Sequence, residues 1–116
     1  MSSQQAGNKR EIPVADVVHL IDLVNYQEGA VVSRTVVNRS TGTVTLFAFD
    51  EGQGLSEHTA PLDALAHVLE GEAEIVVSGK ALPTKAGGAV LMPAHQPHSL
   101  KAVTRFKMLL TMIRSA

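Results

Sequence analysis

From Val31 onward the chain is divided into short β-rich segments by turn residues, and this punctuation constrains the fold more than any other feature. VVSRTVV, Val31–Val37, is β-branched and predicts a strand; Thr41-Gly42 turns the chain into TVTLFAF, Thr43–Phe49, whose residues alternate between two faces. DEGQGLSE, with two glycines, reads as a loop. Leu65–Leu69 predicts a strand, Glu70-Gly71 a turn or bulge, and Glu72–Val77 a further strand. Ser78-Gly79 is a two-residue hairpin turn, and the short strand after it is expected to end at Pro83. After the loop TKAGG, AVLM reads as a buried strand stopped by Pro93, and HSLKAV and FKMLLTMI complete the set. Eight or more short strands with regular turn signals predict an all-β barrel or sandwich.

Ahead of these strands, Ile12–Val24 is apolar without a clear period, and Pro13 and Asp16 lead us to expect an edge strand with one helical turn. Met1–Arg10 is small and polar, a flexible tail, which leaves residues 11–116 as a single domain. A chain of 116 residues is large enough to bury a core without staples.

Composition narrows the function. Ten Lys and Arg against eleven Asp and Glu leave a net charge of −1, so no basic stripe points to nucleic acid. That balance favours a small-molecule or protein partner. Cysteine is absent, which excludes disulfides, thiolate nucleophiles and thiolate metal sites; any metal must use His, Asp, Glu, Gln or water. No apolar run approaches the ~18 residues of a membrane span, and the first residues lack the apolar stretch of a secretory signal. A cytoplasmic location is expected.

Chemistry rests on the five histidines, His19, His58, His67, His95 and His98. His19 lies in the apolar N-terminal run and reads as a satisfied or interface residue. The other four fall in two groups beside glycines and prolines. Gly52 is followed after five residues by His58, and Gly71 closes that group; Gly87 is followed after five residues by Pro93, and then by His98.

These two groups resemble the two motifs of the cupin superfamily, in particular its small single-domain conserved-barrel members. The resemblance spans roughly residues 41–113 and implies a double-stranded β-helix, a jelly-roll barrel with its ligand site inside the mouth. It is incomplete in the metal-ligand set. The family's second histidine and its glutamate fall on Ala60 and Ala64, and Ala102 stands in place of the asparagine. His95 stands where the second motif has a glycine. Three histidines and one glutamate are thereby reduced to His58 and His98.

The physical logic of the motif is convergence. Residues two apart on a strand share a face, so positions 58 and 60 would project together into the barrel. Two alanines remove two of the converging groups, and two imidazoles alone make a weak site for a divalent ion such as Ni, Zn, Fe or Mn. Three residues are candidate substitutes. Asp63 adjoins the glutamate position but lies one step along a strand, on the opposite face unless Pro61 changes the register. His67 is three residues after Ala64, so alternation turns it outward as a core or subunit-interface histidine. His95 either leans over the mouth or faces solvent.

Three functions compete. The first is a small-molecule-binding barrel: Ala60 and Ala64 enlarge the cavity, Leu55, Ala66, Val68, Met92 and Met108 line it, and His58 and His98 supply directed polar contacts to an organic ligand. The second is a metal-dependent enzyme of dioxygenase or isomerase type, using His58, His98 and one of Asp63, His67 or His95. The third is metal-free acid–base catalysis, with Asp50, Glu51 or Glu57 as the carboxylate beside a histidine. A homodimer is also expected, because VVHLIDLV and FKMLLTMI carry more apolar side chains than one interior face can hold.

Overall fold

The structure, a computed structural model, describes residues 11–114. Nine strands follow in order: β1 (Val31–Arg39), β2 (Gly42–Phe49), β3 (Gly54–His58), β4 (Asp63–Glu70), β5 (Glu72–Val77), β6 (Lys80–Lys85), β7 (Ala89–Met92), β8 (His98–Ala102) and β9 (Phe106–Ile113). They form a five-stranded sheet ordered β1-β2-β9-β4-β7 and a four-stranded sheet ordered β3-β8-β5-β6. Every pairing is antiparallel. The two sheets close over one apolar interior as the jelly-roll barrel expected from the sequence.

Alternation decides which side chains enter that interior. On β4 the residues Ala64, Ala66 and Val68 are buried inside, as are Phe106 and Met108 on β9 and Leu100 and Ala102 on β8. Phe49 and Phe106 stack with ring centroids 4.4 Å apart and plug one end of the barrel. At the opposite end Ala64 pairs with Met92 on one side and Met112 on the other. That end is the one reached by His58 and His98, because the short link after β3 leads directly into β4.

A second apolar cluster lies on the outside of the five-stranded sheet. Val24 is buried there against Val36, Leu46 and Ala48, with Ile12, Leu20 and Leu23 packed around them. This corrects the reading of residues 12–24 as an edge strand. The segment contains only a short 3-10 turn, Leu20–Asp22, and otherwise runs as an irregular strap. Pro13 has no N–H to give a ladder, and the apolar residues follow no period because they fill gaps on a surface already built by strands. Much of the apolar surplus attributed to a partner is therefore absorbed within the chain.

Two further boundaries differ from expectation, while the Ser78-Gly79 turn is as expected. Residues 50–57 are not all loop, since β3 begins at Gly54. β6 runs through Pro83, which is tolerated because β6 is an edge strand. Ser78 and Gly79 both have positive φ, 49° and 81°, which gives the hairpin turn its two left-handed residues. The expected tail, residues 1–10, lies outside the described residues.

Candidate functional site

His58 is the last residue of β3 and His98 the first of β8, and the two stand directly opposite each other in the antiparallel ladder. Their ring centroids are 4.4 Å apart at an interplanar angle of 68°. A β-bulge makes this meeting possible. Leu55 faces Leu100 and His58 faces His98, so three steps along β3 match two along β8. Without the extra residue, period-two alternation would turn His58 and Leu55 to opposite faces. On its other side His98 pairs with Val77 of β5, and it is 6% exposed, whereas His58 lies open at the rim.

Each ring is oriented by a main-chain carbonyl two residues earlier. His58 Nδ1 lies 2.8 Å from the Ser56 oxygen, and His98 Nδ1 lies 3.2 Å from the Gln96 oxygen. A carbonyl oxygen only accepts, so both rings carry hydrogen on Nδ1 and leave Nε2 for another partner. Gln96 is fixed in turn, its Oε1 accepting the Ser78 hydroxyl at 2.6 Å, while the Ser78 N–H donates to the Pro97 oxygen at 2.8 Å. The β5–β6 hairpin thus supports the turn that presents His98. Sequence reasoning missed the parts played by Ser56 and Gln96, because a main-chain carbonyl leaves no signature in residue type, and the bond from the Ser78 hydroxyl to Gln96, because the two lie on separate turns.

The remaining candidates are dispersed. Contrary to the expectation from spacing, Ala60 does not share a strand with His58; it lies in the link before β4, where Pro61 interrupts the ladder. Its carbonyl accepts the His95 N–H at 2.7 Å, which ties that link to the turn after β7. Ala64 and Met92 are buried in the interior. Asp63 Oδ1 accepts the Ala94 N–H at 2.8 Å and so holds the same turn. His67 is half-buried on the outer face of β4, between Leu109 and Ala89. His95 is exposed with φ 67°. Among the described residues no group of three or more His, Asp or Glu side chains comes together.

The set of donors therefore tests the fit of a metal ion. Two Nε2 atoms, each on a ring anchored through Nδ1, are suitable ligands, but two fall short of the three or four protein ligands of a tight site. A firmly held ion does not fit the residues present.

Three concavities lie away from the histidine pair. A groove of about 620 Å³ runs between the N-terminal strap and β1, lined by Leu23, Tyr26, Val32 and Arg34 among others. Two smaller ones, about 430 and 380 Å³, flank Gly52 beside β8. None of these three includes the histidine pair. No helix among the described residues is long and apolar enough to cross a membrane.

Comparison with known proteins agrees with this architecture. A conserved protein of unknown function from Streptococcus pyogenes is 35% identical, with a TM-score of 0.86 over 91% of this chain and 93% of that one. A cupin superfamily protein from Desulfitobacterium hafniense is 27% identical, with a TM-score of 0.84 over 90% of this chain and 96% of that one. A cupin 2 conserved barrel domain protein from Leptotrichia buccalis is 38% identical and gives a TM-score of 0.78 over 81% of this chain and 46% of that one. No curated protein matches the chain. The family model for the cupin domain matches residues 45–113, which takes in both histidines and most of the strands. The chain belongs to the cupin domain family.

Proposed function

We propose that this cupin is a cytoplasmic small-molecule-binding protein whose ligand enters the barrel mouth and meets His58 and His98. The observation that carries the reading is the pair itself: two rings 4.4 Å apart, each with Nδ1 committed to a carbonyl and Nε2 uncommitted. Ala60, Ala64 and Met92 supply small or apolar neighbours at the same end of the barrel. In the neutral tautomer both Nε2 atoms accept, so the ligand group that meets them is a hydrogen-bond donor, such as a hydroxyl or an amine.

Native mass spectrometry of protein purified without a histidine tag tests this reading. A small molecule that co-purifies with the wild-type chain and is lost from the His58→Ala/His98→Ala variant supports it. A ligand retained by that variant places the site elsewhere.

A metal-dependent enzyme of dioxygenase or isomerase type is the second reading, and it draws on the same two Nε2 atoms. It requires a third donor from Asp63, His67 or His95. Asp63 is occupied with Ala94 and His67 faces outward, which is why this reading ranks second. Metal analysis of untagged protein separates the two: near one ion per chain favours the enzyme, almost none favours the binding protein.

A further inference from the structure

Among the described residues three other than glycine take left-handed backbone angles: Ala15, Ser78 and His95, with φ of 58°, 49° and 67°. Two of these brace one short turn, residues 93–98, which delivers His98 to the barrel mouth. The His95 N–H donates to the Ala60 oxygen and ties the turn to the link that follows His58. Ser78, at the exposed tip of the β5–β6 hairpin, grips the turn twice. Its N–H donates to the Pro97 oxygen at 2.8 Å and its hydroxyl to Gln96 Oε1 at 2.6 Å. A hairpin turn of this kind favours Asn, Asp or Gly where Ser78 stands, because a β-carbon is strained there. Strain kept at an exposed turn points to a task for the side chain.

We propose that Ser78 is a positioning residue for His98: acting through Gln96, it fixes which ring nitrogen that histidine turns to the mouth. This rests on the reading of the mouth as a ligand site. A neutral imidazole carries one hydrogen, and the partner of one nitrogen decides which nitrogen bears it. For His98 that partner is the Gln96 oxygen at 3.2 Å, a longer bond than the 2.8 Å from His58 to the Ser56 oxygen. His58 leans on its own strand, whereas His98 depends on a turn held from outside. The Ser78 hydroxyl pins the Gln96 side chain and so resists any swing of the Gln96 carbonyl away from the His98 ring. With Nδ1 bonded, Nε2 of His98 accepts, as that of His58 does. Were the hydrogen to move to Nε2 of His98, the pair would offer one donor and one acceptor, and a different ligand group would fit. Ser78 thereby sets the mouth for a hydroxyl or an amine rather than for a carbonyl.

Nitrogen NMR of the full chain after exhaustive dialysis, at about pH 9 where neutral imidazole prevails, reads the tautomer directly. The signals of His58 and His98 are assigned with their alanine variants. In the wild type both rings are expected to carry hydrogen on Nδ1 alone. Ser78→Gly keeps the left-handed backbone and the bond to Pro97 but removes the hydroxyl. It is expected to melt within about 5 °C of the wild type, while His98 loses its single tautomer and His58 keeps its own. Gln96→Ala removes the other end of the same bond and should give the same change, with the double variant showing no more than either single one. A His98 ring that keeps Nδ1–H in both variants overturns the proposal. So does a loss of order that spreads equally to His58, which marks Ser78 as an ordinary turn residue. An unchanged tautomer therefore counts against Ser78 alone, whereas an empty wild-type mouth in native mass spectrometry counts against the ligand reading.

Discussion

The Tyr26 hydroxyl donates to Glu70 Oε2 at 2.6 Å and so fastens the N-terminal strap to the end of β4. Arg105 and Lys107 lie over the Tyr26 ring, at 4.7 and 5.1 Å from its centroid. Lys107 is 8% exposed and donates to the Ile21 carbonyl, which secures the strap at a second point. This latch holds the second apolar cluster closed.

Tyr26→Phe keeps the ring and its cation contacts but removes the bond to a carboxylate. The expected cost is about 1 kcal/mol, at the low end for a charged acceptor because the group is partly solvated. A lower urea midpoint with an unchanged slope is the expected result. The same bond gives an alkaline signature. Burial first, then the hydrogen bond and charge of Glu70, hold the Tyr26 phenol well above its ordinary value, against a smaller opposing effect of Arg105. Since the folded value exceeds the unfolded one, this stabilisation is complete below about pH 10 and is lost progressively as pH rises beyond it. Tyr26→Phe is expected to flatten that alkaline slope.

Asp50 gives the opposite signature. Its carboxylate accepts the Gly29 N–H at 2.7 Å and Arg105 Nε at 3.1 Å. Those contacts, with the Gly29 bond first and the Arg105 and Glu51 bonds after it, hold the acid below its ordinary value. A depressed folded value means stabilisation present above the unfolded pKa, about 4, and lost as pH falls through the folded one. Asp50→Asn should therefore be less stable than the wild type at neutral pH, with the two converging in strong acid. Parallel denaturation curves across the acid range check this.

Gly71, between β4 and β5, has φ 80°, and a Cβ there would meet the Arg105 oxygen and the Phe106 side chain, the latter at 2.8 Å. Both a strained backbone and a clash with another strand oppose any side chain. Gly71→Ala is expected to cost about 3 kcal/mol or more. Gly79→Ala, at a turn with φ 81° and open space around it, should cost distinctly less. Thermal melts of the two variants make the comparison.

How far the sequence could be read depended on which kind of regularity governed each element. Strands such as Glu72–Val77 and Ala89–Met92 were legible because turn residues bound them and one face of the barrel is dry. His58 and His98 stood out through motif spacing, but the bulge that aligns them did not, since an extra unpaired residue looks like any other strand residue. The strap was misread because residues that pack onto a finished surface need no period. Tyr26 drew no notice because its partners, Glu70, Arg105 and Lys107, lie far along the chain.

The histidine pair carries the last prediction. His58 is exposed and its Nδ1 bond is to a carbonyl of its own strand, so His58→Ala should change stability by no more than about 0.5 kcal/mol. His98 is buried between His58 and Val77, and His98→Ala is expected to cost about 1–2 kcal/mol through lost packing and an unsatisfied Gln96 carbonyl. Both costs are small beside those of an interior residue such as Phe106, so the double variant should fold, with chemical denaturation giving the comparison. Function should respond differently. Nickel titrated into untagged wild-type protein is expected to bind weakly, because two ligands are available, and either single alanine variant should abolish that binding. Loss of nickel binding with the fold retained would mark the pair as a working site; an unfolded double variant would mark it as structural.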